Sequence, residues 1–190
     1  MKKILIFGNT CTGKTTIATE IAKRTGTEMR CCGELVKELV GRRGYKLSDN
    51  IPNAIYEEID GESRRVLLLK NGSGVIEGTY LDCVLHDIFD ESSMLAVRLI
   101  CNNDERARRF AIRRGRGDSM DLALARSSLE ERDRSDQLCR TIVYRSDATS
   151  PAIPRYLTLD TGTLSVSACA SAIIEATRRG QKEVAPTKGL

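Results

Sequence analysis

The chain has 190 residues, of which 41% are hydrophobic, 29% charged and only 4% aromatic, with no tryptophan, so one globular domain with an aliphatic core is expected over residues 1–180. Thirty Lys and Arg against 26 Asp and Glu leave a net charge of +4, far from the basic excess of a dedicated nucleic-acid binder but suited to a phosphate-bearing ligand. Seven cysteines without a CxxC pair exclude a disulfide framework and a zinc site, and no apolar run is long enough for an export signal or a membrane span; a cytoplasmic monomer away from membranes is expected.

Residues 4–7 form an unbroken apolar run ending at Gly8, as in a parallel strand buried on both faces. From Lys14 the apolar residues Ile17, Ala18, Ile21 and Ala22 recur at helical spacing until Gly26 stops them. A second helix is predicted from near Glu34, with Leu35, Leu39 and Val40 on one face and Gly41 and Gly44 at its end. After Pro52 a helical pattern runs through Ile55, Ile59, Val66 and Leu69, weakened at Gly61. Residues 74–76, 94–100 and 156–159 read as further strands, and 104–114, 119–144 and 164–177 as helices. Strands alternating with helices imply a parallel sheet covered on both faces, an α/β fold. The Pro, Lys and Gly of residues 181–190 read as a frayed tail.

Between the first strand and the first helix lies Gly8, Asn9, Thr10, Cys11, Thr12, Gly13, Lys14, Thr15, which matches GxxxxGK[ST] and continues into Thr16. Glycines let the backbone curl so that successive N–H groups point inward at phosphate oxygens, and the helix that follows presents its positive end to the same anion. Lys14 is placed to reach terminal phosphates, and the Thr15 hydroxyl is an oxygen ligand of the kind magnesium takes. ATP and Mg2+ are the cofactors this implies. Cys11, inside the loop, offers a thiol, but only the helix terminus lowers its pKa at this level of reading.

Two helix faces carry arginines. Arg106, Arg109 and Arg113 recur at spacings of three and four, as do Arg132, Asp136 and Arg140 at four. Such faces suit phosphoryl transfer, in which charge spreads over equatorial oxygens and is stabilised by guanidinium groups. The alternative is a solvated, salt-bridged surface in which Glu130, Glu131 and Asp133 pair with Arg132 and Arg134. Gly115 and Gly117 between the faces suit the hinge of a lid.

These stretches, together with residues 32–39 (CGELVKEL), 74–78 (GVIEG), 131–136 (ERDRSD) followed by Tyr144 and Asp147, and 159–165 (LDTGTLS), resemble the nucleoside monophosphate kinases and, within them, the cytidylate kinases, above all the short archaeal-type members. The resemblance spans residues 2–177. It implies a three-layer P-loop fold with a five-stranded parallel sheet, a monophosphate-binding insertion around residues 31–70 and a lid near 113–120. It further implies that Arg132 bridges the donor and acceptor phosphates, that Asp136 contacts the acceptor base or holds that arginine, and that Glu77 serves the magnesium waters. By the same resemblance Arg109 and Arg113 face the donor nucleotide, and Gly33, Lys37, Gly78, Thr79 and Arg140 join Arg132 and Asp136 around the acceptor.

The chain departs from the family pattern where Lys37 and Thr79 stand in place of arginines, losing bidentate phosphate grips. An arginine expected seven residues after Arg132 is Cys139, with Arg140 one position on and about 100° around the helix. Among the remaining residues, the single histidine, His86, reads as structural, Arg30 is a further candidate for the acceptor pocket, and Asp82, Asp87 and Asp90 read as a solvated helix face rather than a metal cluster. The leading expectation is transfer of a phosphoryl group from ATP to CMP or dCMP. A metabolite or antibiotic hydroxyl is the second acceptor class, favoured by Lys37 and Thr79, and a nucleotide-dependent binding module reading RNA through residues 106–116 is the third.

Overall fold

The computed structural model describes residues 1–46, 51–68, 74–113, 122–142, 144–145 and 151–182. Five strands, β1 (Lys3–Phe7), β2 (Glu28–Cys31), β3 (Gly74–Glu77), β4 (Met94–Ile100) and β5 (Leu157–Asp160), form one parallel sheet in the order β2-β3-β1-β4-β5. The helices are α1 (Lys14–Thr25), α2 (Cys32–Arg42), α3 (Asn53–Leu68), α4 (Leu81–Val84), α5 (Asn103–Arg113), α6 (Leu122–Ile142) and α7 (Val166–Lys182), with a 3-10 turn at His86–Ile88.

The central strand explains its own sequence. Ile4, Leu5 and Ile6 have no exposed surface, because β1 is flanked by β3 and β4 and roofed on both faces. On one face Ile4, Ile6, Val75, Val97 and Leu99 pack with Ile17, Ala18 and Ile21 of α1 and Cys169, Ala170 and Ile173 of α7. On the other, Leu5, Phe7, Ile76 and Ala96 pack with Cys32, Leu81, Val84, Leu85 and Ile153. Two smaller clusters tie α5 to α6 and α2 to α3.

The sequence pattern left out two elements. β2 is an edge strand of four residues with charged Glu28 and Arg30, so it has neither the length nor the apolar run that betrays its buried neighbours. α4 is a single turn, too short for a period. Gly61 does not interrupt α3, which is continuous from Asn53 to Leu68. The lid expected at 113–120 lies outside the described residues except for Arg113, and of the tail expected at 181–190 the first two residues close α7 while the rest lie outside the described residues.

In this order the chain runs from β1 outward to β2 and later crosses past β1 to β4, so the connections from the carboxyl ends of the neighbours β1 and β4 run to opposite sides of the sheet. That switch point is where an open α/β sheet offers a crevice for a ligand. Gly8 opens the loop there with φ 143°, and a Cβ at this position would lie 2.3 Å from the Leu99 carbonyl oxygen, so only glycine fits between the strands. At the end of β3, a Cβ on Gly78 would meet the Cys32 Cβ at 2.7 Å. Gly78→Ala is therefore expected to cost about 1–3 kcal/mol through forced repacking of α2, read as a lowered melting temperature.

Candidate active site

The loop from Gly8 to Gly13 is braced through its carbonyls, once from within and twice from other elements. Thr12 Oγ1 donates to Asn9 O at 2.9 Å, Arg106 Nε to Thr10 O at 2.8 Å, and Thr161 Oγ1 to Thr12 O at 2.9 Å. Cys11 takes a left-handed φ of 64° and Gly13 one of 87°, and α1 begins directly after Gly13. Successive backbone N–H groups in such a curl, with a helix N-terminus behind them, form an anion cradle.

Lys14 Nζ donates to Gly8 O and Asn9 O, both at 2.9 Å, and the residue is 9% exposed. Burial pushes its pKa below the ordinary lysine value, while the nearby carboxylates of Glu77 and Asp136 pull it back up. The loop lysine thus lies within electrostatic reach of the end of β3 and of α6. Thr15, the next residue, donates from Oγ1 to Glu77 Oε1 at 3.0 Å, and Glu77 is 3% exposed. Two oxygen donors side by side near the cradle are the donor chemistry of a hard divalent cation that keeps waters and substrate oxygens for its other positions. Among the described residues no group of three or more His, Cys, Asp or Glu forms a self-sufficient metal cage.

Cys31, at the end of β2, hydrogen-bonds the same carboxylate. Its thiol is pushed up to about 11, by burial first and by the bond to Glu77 next, and the adjacent Cys32 thiol is pushed by burial to about 12. At pH 8 only about one Cys31 in a thousand is then the thiolate, the nucleophilic form. Alkylation of Cys31 by iodoacetamide, followed by peptide mass spectrometry, is expected to be slow at pH 8 and to accelerate about tenfold per pH unit until near pH 11.

The arginine faces resolve into distinct duties. Arg106 is 3% exposed and forks onto Asp133, with Nη1–Oδ2 at 2.8 Å and Nη2–Oδ1 at 2.7 Å, so it joins the loop to α6 and does not face solvent. Arg109 donates to Thr161 O at 2.6 Å and to Glu105, with Nη1 on the Gly13 side of the loop. Arg113, exposed at the end of α5, lies within electrostatic reach of Cys11. Arg132, also exposed, reaches Asp136 Oδ1 at 3.1 Å; Tyr80 donates to that same oxygen at 2.5 Å, and Asp136 is buried. The salt-bridged surface expected from sequence is thus replaced in part: Asp133 serves Arg106 on another helix, whereas Arg132 pairs with Asp136 one turn along its own helix.

Arg140 forks onto Asp82, at 3.0 and 2.7 Å, and Asp82 also accepts from Ala152 N at 3.1 Å. Asp82 has no exposed surface, which corrects its reading as part of a solvated face. Asp87 pairs with Arg64, and Asp90 caps Ser92 and Ser93, so the three aspartates form no cluster. His86 meets the Cys83 carbonyl through Nδ1 at 2.9 Å, and Arg30 pairs with Glu28 on β2. Thr79 follows β3 and Gly33 and Lys37 lie on α2, so the acceptor-side candidates flank the carboxyl ends of β2 and β3.

Between the loop and α6 lies a cavity of about 200 Å³ lined by Gly8, Asn9, Thr79, Asp136, Arg140 and, from β4, Arg98. Sequence reading missed Arg98, whose charge was hidden within the otherwise apolar run of residues 94–100. Among the described residues no helix is long and apolar enough to cross a membrane.

A family model described as AAA domain matches residues 4–136. A cytidylate kinase of Pyrobaculum calidifontis is 31% identical over 170 residues, 88% of this chain and 88% of that one. Among solved structures, an uncharacterized protein from Eubacterium ventriosum aligns with a TM-score of 0.69 at 16% identity, covering 94% of this chain and 99% of its own. Shikimate kinase from Acinetobacter baumannii, in complex with shikimate, aligns with a TM-score of 0.60 at 14% identity, covering 97% and 96%. At those identities the two structures bear on the fold alone.

Proposed function

This chain belongs to the AAA-domain P-loop family and to the cytidylate kinases, and we propose that it transfers the γ-phosphoryl group of ATP to the phosphate of a pyrimidine nucleoside monophosphate, CMP or dCMP. The observation that carries this reading is the Thr15–Glu77 hydrogen bond at 3.0 Å beside the braced loop, with Lys14 in electrostatic reach of both Glu77 and Asp136.

In this reading Lys14 and the loop N–H groups hold the β- and γ-phosphates of ATP, and Arg109 and Arg113 flank the donor nucleotide. Thr15 and Glu77 would hold magnesium, which neutralises charge on the phosphates when bound. An oxygen of the acceptor phosphate forms the new bond to the γ-phosphorus, and the bond to the bridging oxygen breaks to leave ADP. That acceptor oxygen is already ionised, so no strong general base is needed, and catalysis rests on alignment and charge stabilisation. Arg132, held by Asp136, bridges the two phosphates, while Gly33, Lys37, Gly78, Thr79 and Arg140 border the acceptor.

The test is ADP release from magnesium ATP with CMP, dCMP, UMP, AMP and GMP as acceptors. Stimulation that is greatest with CMP or dCMP, and formation of the matching diphosphate, is the expected result. ATP binding without stimulation by any nucleotide would sink the proposal.

A further inference from the structure

Arg98 occupies a position that the fold reserves for apolar side chains. In the β1–β4 register Phe7 stands beside Arg98 and Leu5 beside Ala96, and Phe7, Leu5 and Ala96 all belong to the core on one face of the sheet. Arg98 is partly buried on that same face. A guanidinium taken from water is costly unless an anion or good acceptors meet it. The other arginines around the cavity each have such a partner: Arg106 has Asp133, Arg132 has Asp136 and Arg140 has Asp82. Arg98 makes no ion pair or side-chain hydrogen bond among the described residues, and among them it is an uncommitted positive charge of the cavity.

Across the same cavity, Asp136 spends Oδ1 on Tyr80 and Arg132, while its buried Oδ2 has no hydrogen-bond partner among the described residues. An uncommitted cation and an uncommitted acceptor in one cleft, next to Gly8 and Asn9 of the phosphate loop, call for a ligand carrying both an anion and a hydroxyl or amine donor. A nucleoside monophosphate is such a ligand.

Resting on the reading of this site as a nucleoside monophosphate kinase, we infer that Arg98 grips the phosphate of the acceptor from the floor of the sheet. The inference accounts for Lys37 and Thr79. The chain lacks a bidentate donor at both of those positions, and Arg98 supplies a planar fork from a third strand end. The acceptor phosphate is thereby held from the β4 side of β1 rather than from α2 alone.

Calorimetric titration of CMP and of cytidine into wild type, Arg98→Gln and Arg98→Lys, with ATP binding as the check on folding, tests this directly. Wild type is expected to prefer CMP over cytidine; Arg98→Gln is expected to weaken CMP by about 10- to 100-fold while leaving cytidine and ATP unchanged, as for loss of a charge-assisted pair. Arg98→Lys should recover part of the loss. Wild-type preference for CMP that survives intact in Arg98→Gln overturns the role of Arg98 and leaves the kinase reading standing. So does a loss shared equally by CMP and cytidine, or a decline in Arg98→Lys as deep as in Arg98→Gln. A wild type that does not discriminate CMP from cytidine overturns the kinase reading and this inference with it.

Discussion

Lys14→Ala is expected to lower acceptor-stimulated ADP release by about 10³-fold while leaving the protein folded, because a preorganised charge aimed at developing phosphoryl charge is worth on the order of 10²–10³ in rate. Its ammonium ties Gly8 O and Asn9 O, but burial works against the charge, so the two effects of its removal on stability oppose each other. A melting temperature near that of wild type should accompany the lost turnover. Lys14→Arg, which keeps the charge but enlarges the head, is expected to remain slow, since the ammonium sits between two carbonyls 2.9 Å away. Activity of Lys14→Ala within tenfold of wild type would show that the loop does not hold the transferred group.

Asp82→Ala has its main effect on stability. The carboxylate is fully buried, forks with Arg140 and accepts from the Ala152 N–H, so its loss strands a guanidinium whose side chain is 13% exposed. Burial alone would weaken that guanidinium's charge, yet pairing with Asp82 holds the Arg140 pKa above its ordinary value. Breaking one side of such a pair costs about 3–5 kcal/mol. For a chain of this size that corresponds to a fall in melting temperature of roughly 6–20 °C by thermal scan. The double variant Asp82→Ala, Arg140→Met, which removes both charges, should regain a large part of the loss, and a double variant no more stable than the single would refute the account.

What could be read from sequence was what is local or periodic. The cradle is contiguous, so its spacing survives in one dimension. Ile4, Leu5, Ile6 and Phe7 announce a strand buried on both sides because every position is apolar. The arginine spacings on α5 and α6 were visible too, but their partners were not. Arg106 meets Asp133 at a distance of 27 residues, and Arg140 meets Asp82 at 58, and nothing in a helical period distinguishes a surface pair from a buried tie between elements. The same limit hid Asp82 among three aspartates that look alike in sequence. β2 escaped because an edge strand with one neighbour can be short and charged, and Arg98 because one charge in an apolar run reads as a blemish until the face it points from is known. Thr15 is marked by the loop motif and Glu77 by the resemblance, and their 3.0 Å hydrogen bond, across 62 residues, is legible only in the fold.

The Arg106 side chain has a consequence for how such a protein can vary. One guanidinium grips the Thr10 carbonyl with Nε and the Asp133 carboxylate with its two ends, and Asp133 is one residue from Arg132 and three from Asp136. The phosphate-loop curl and α6 are thus gauged against a single planar group, like two jaws set by one screw. Substitutions on α2, β3 or β4 do not touch this tie, whose members lie on the loop, α5 and α6. Those that move Asp133 would shift the loop and α6 together.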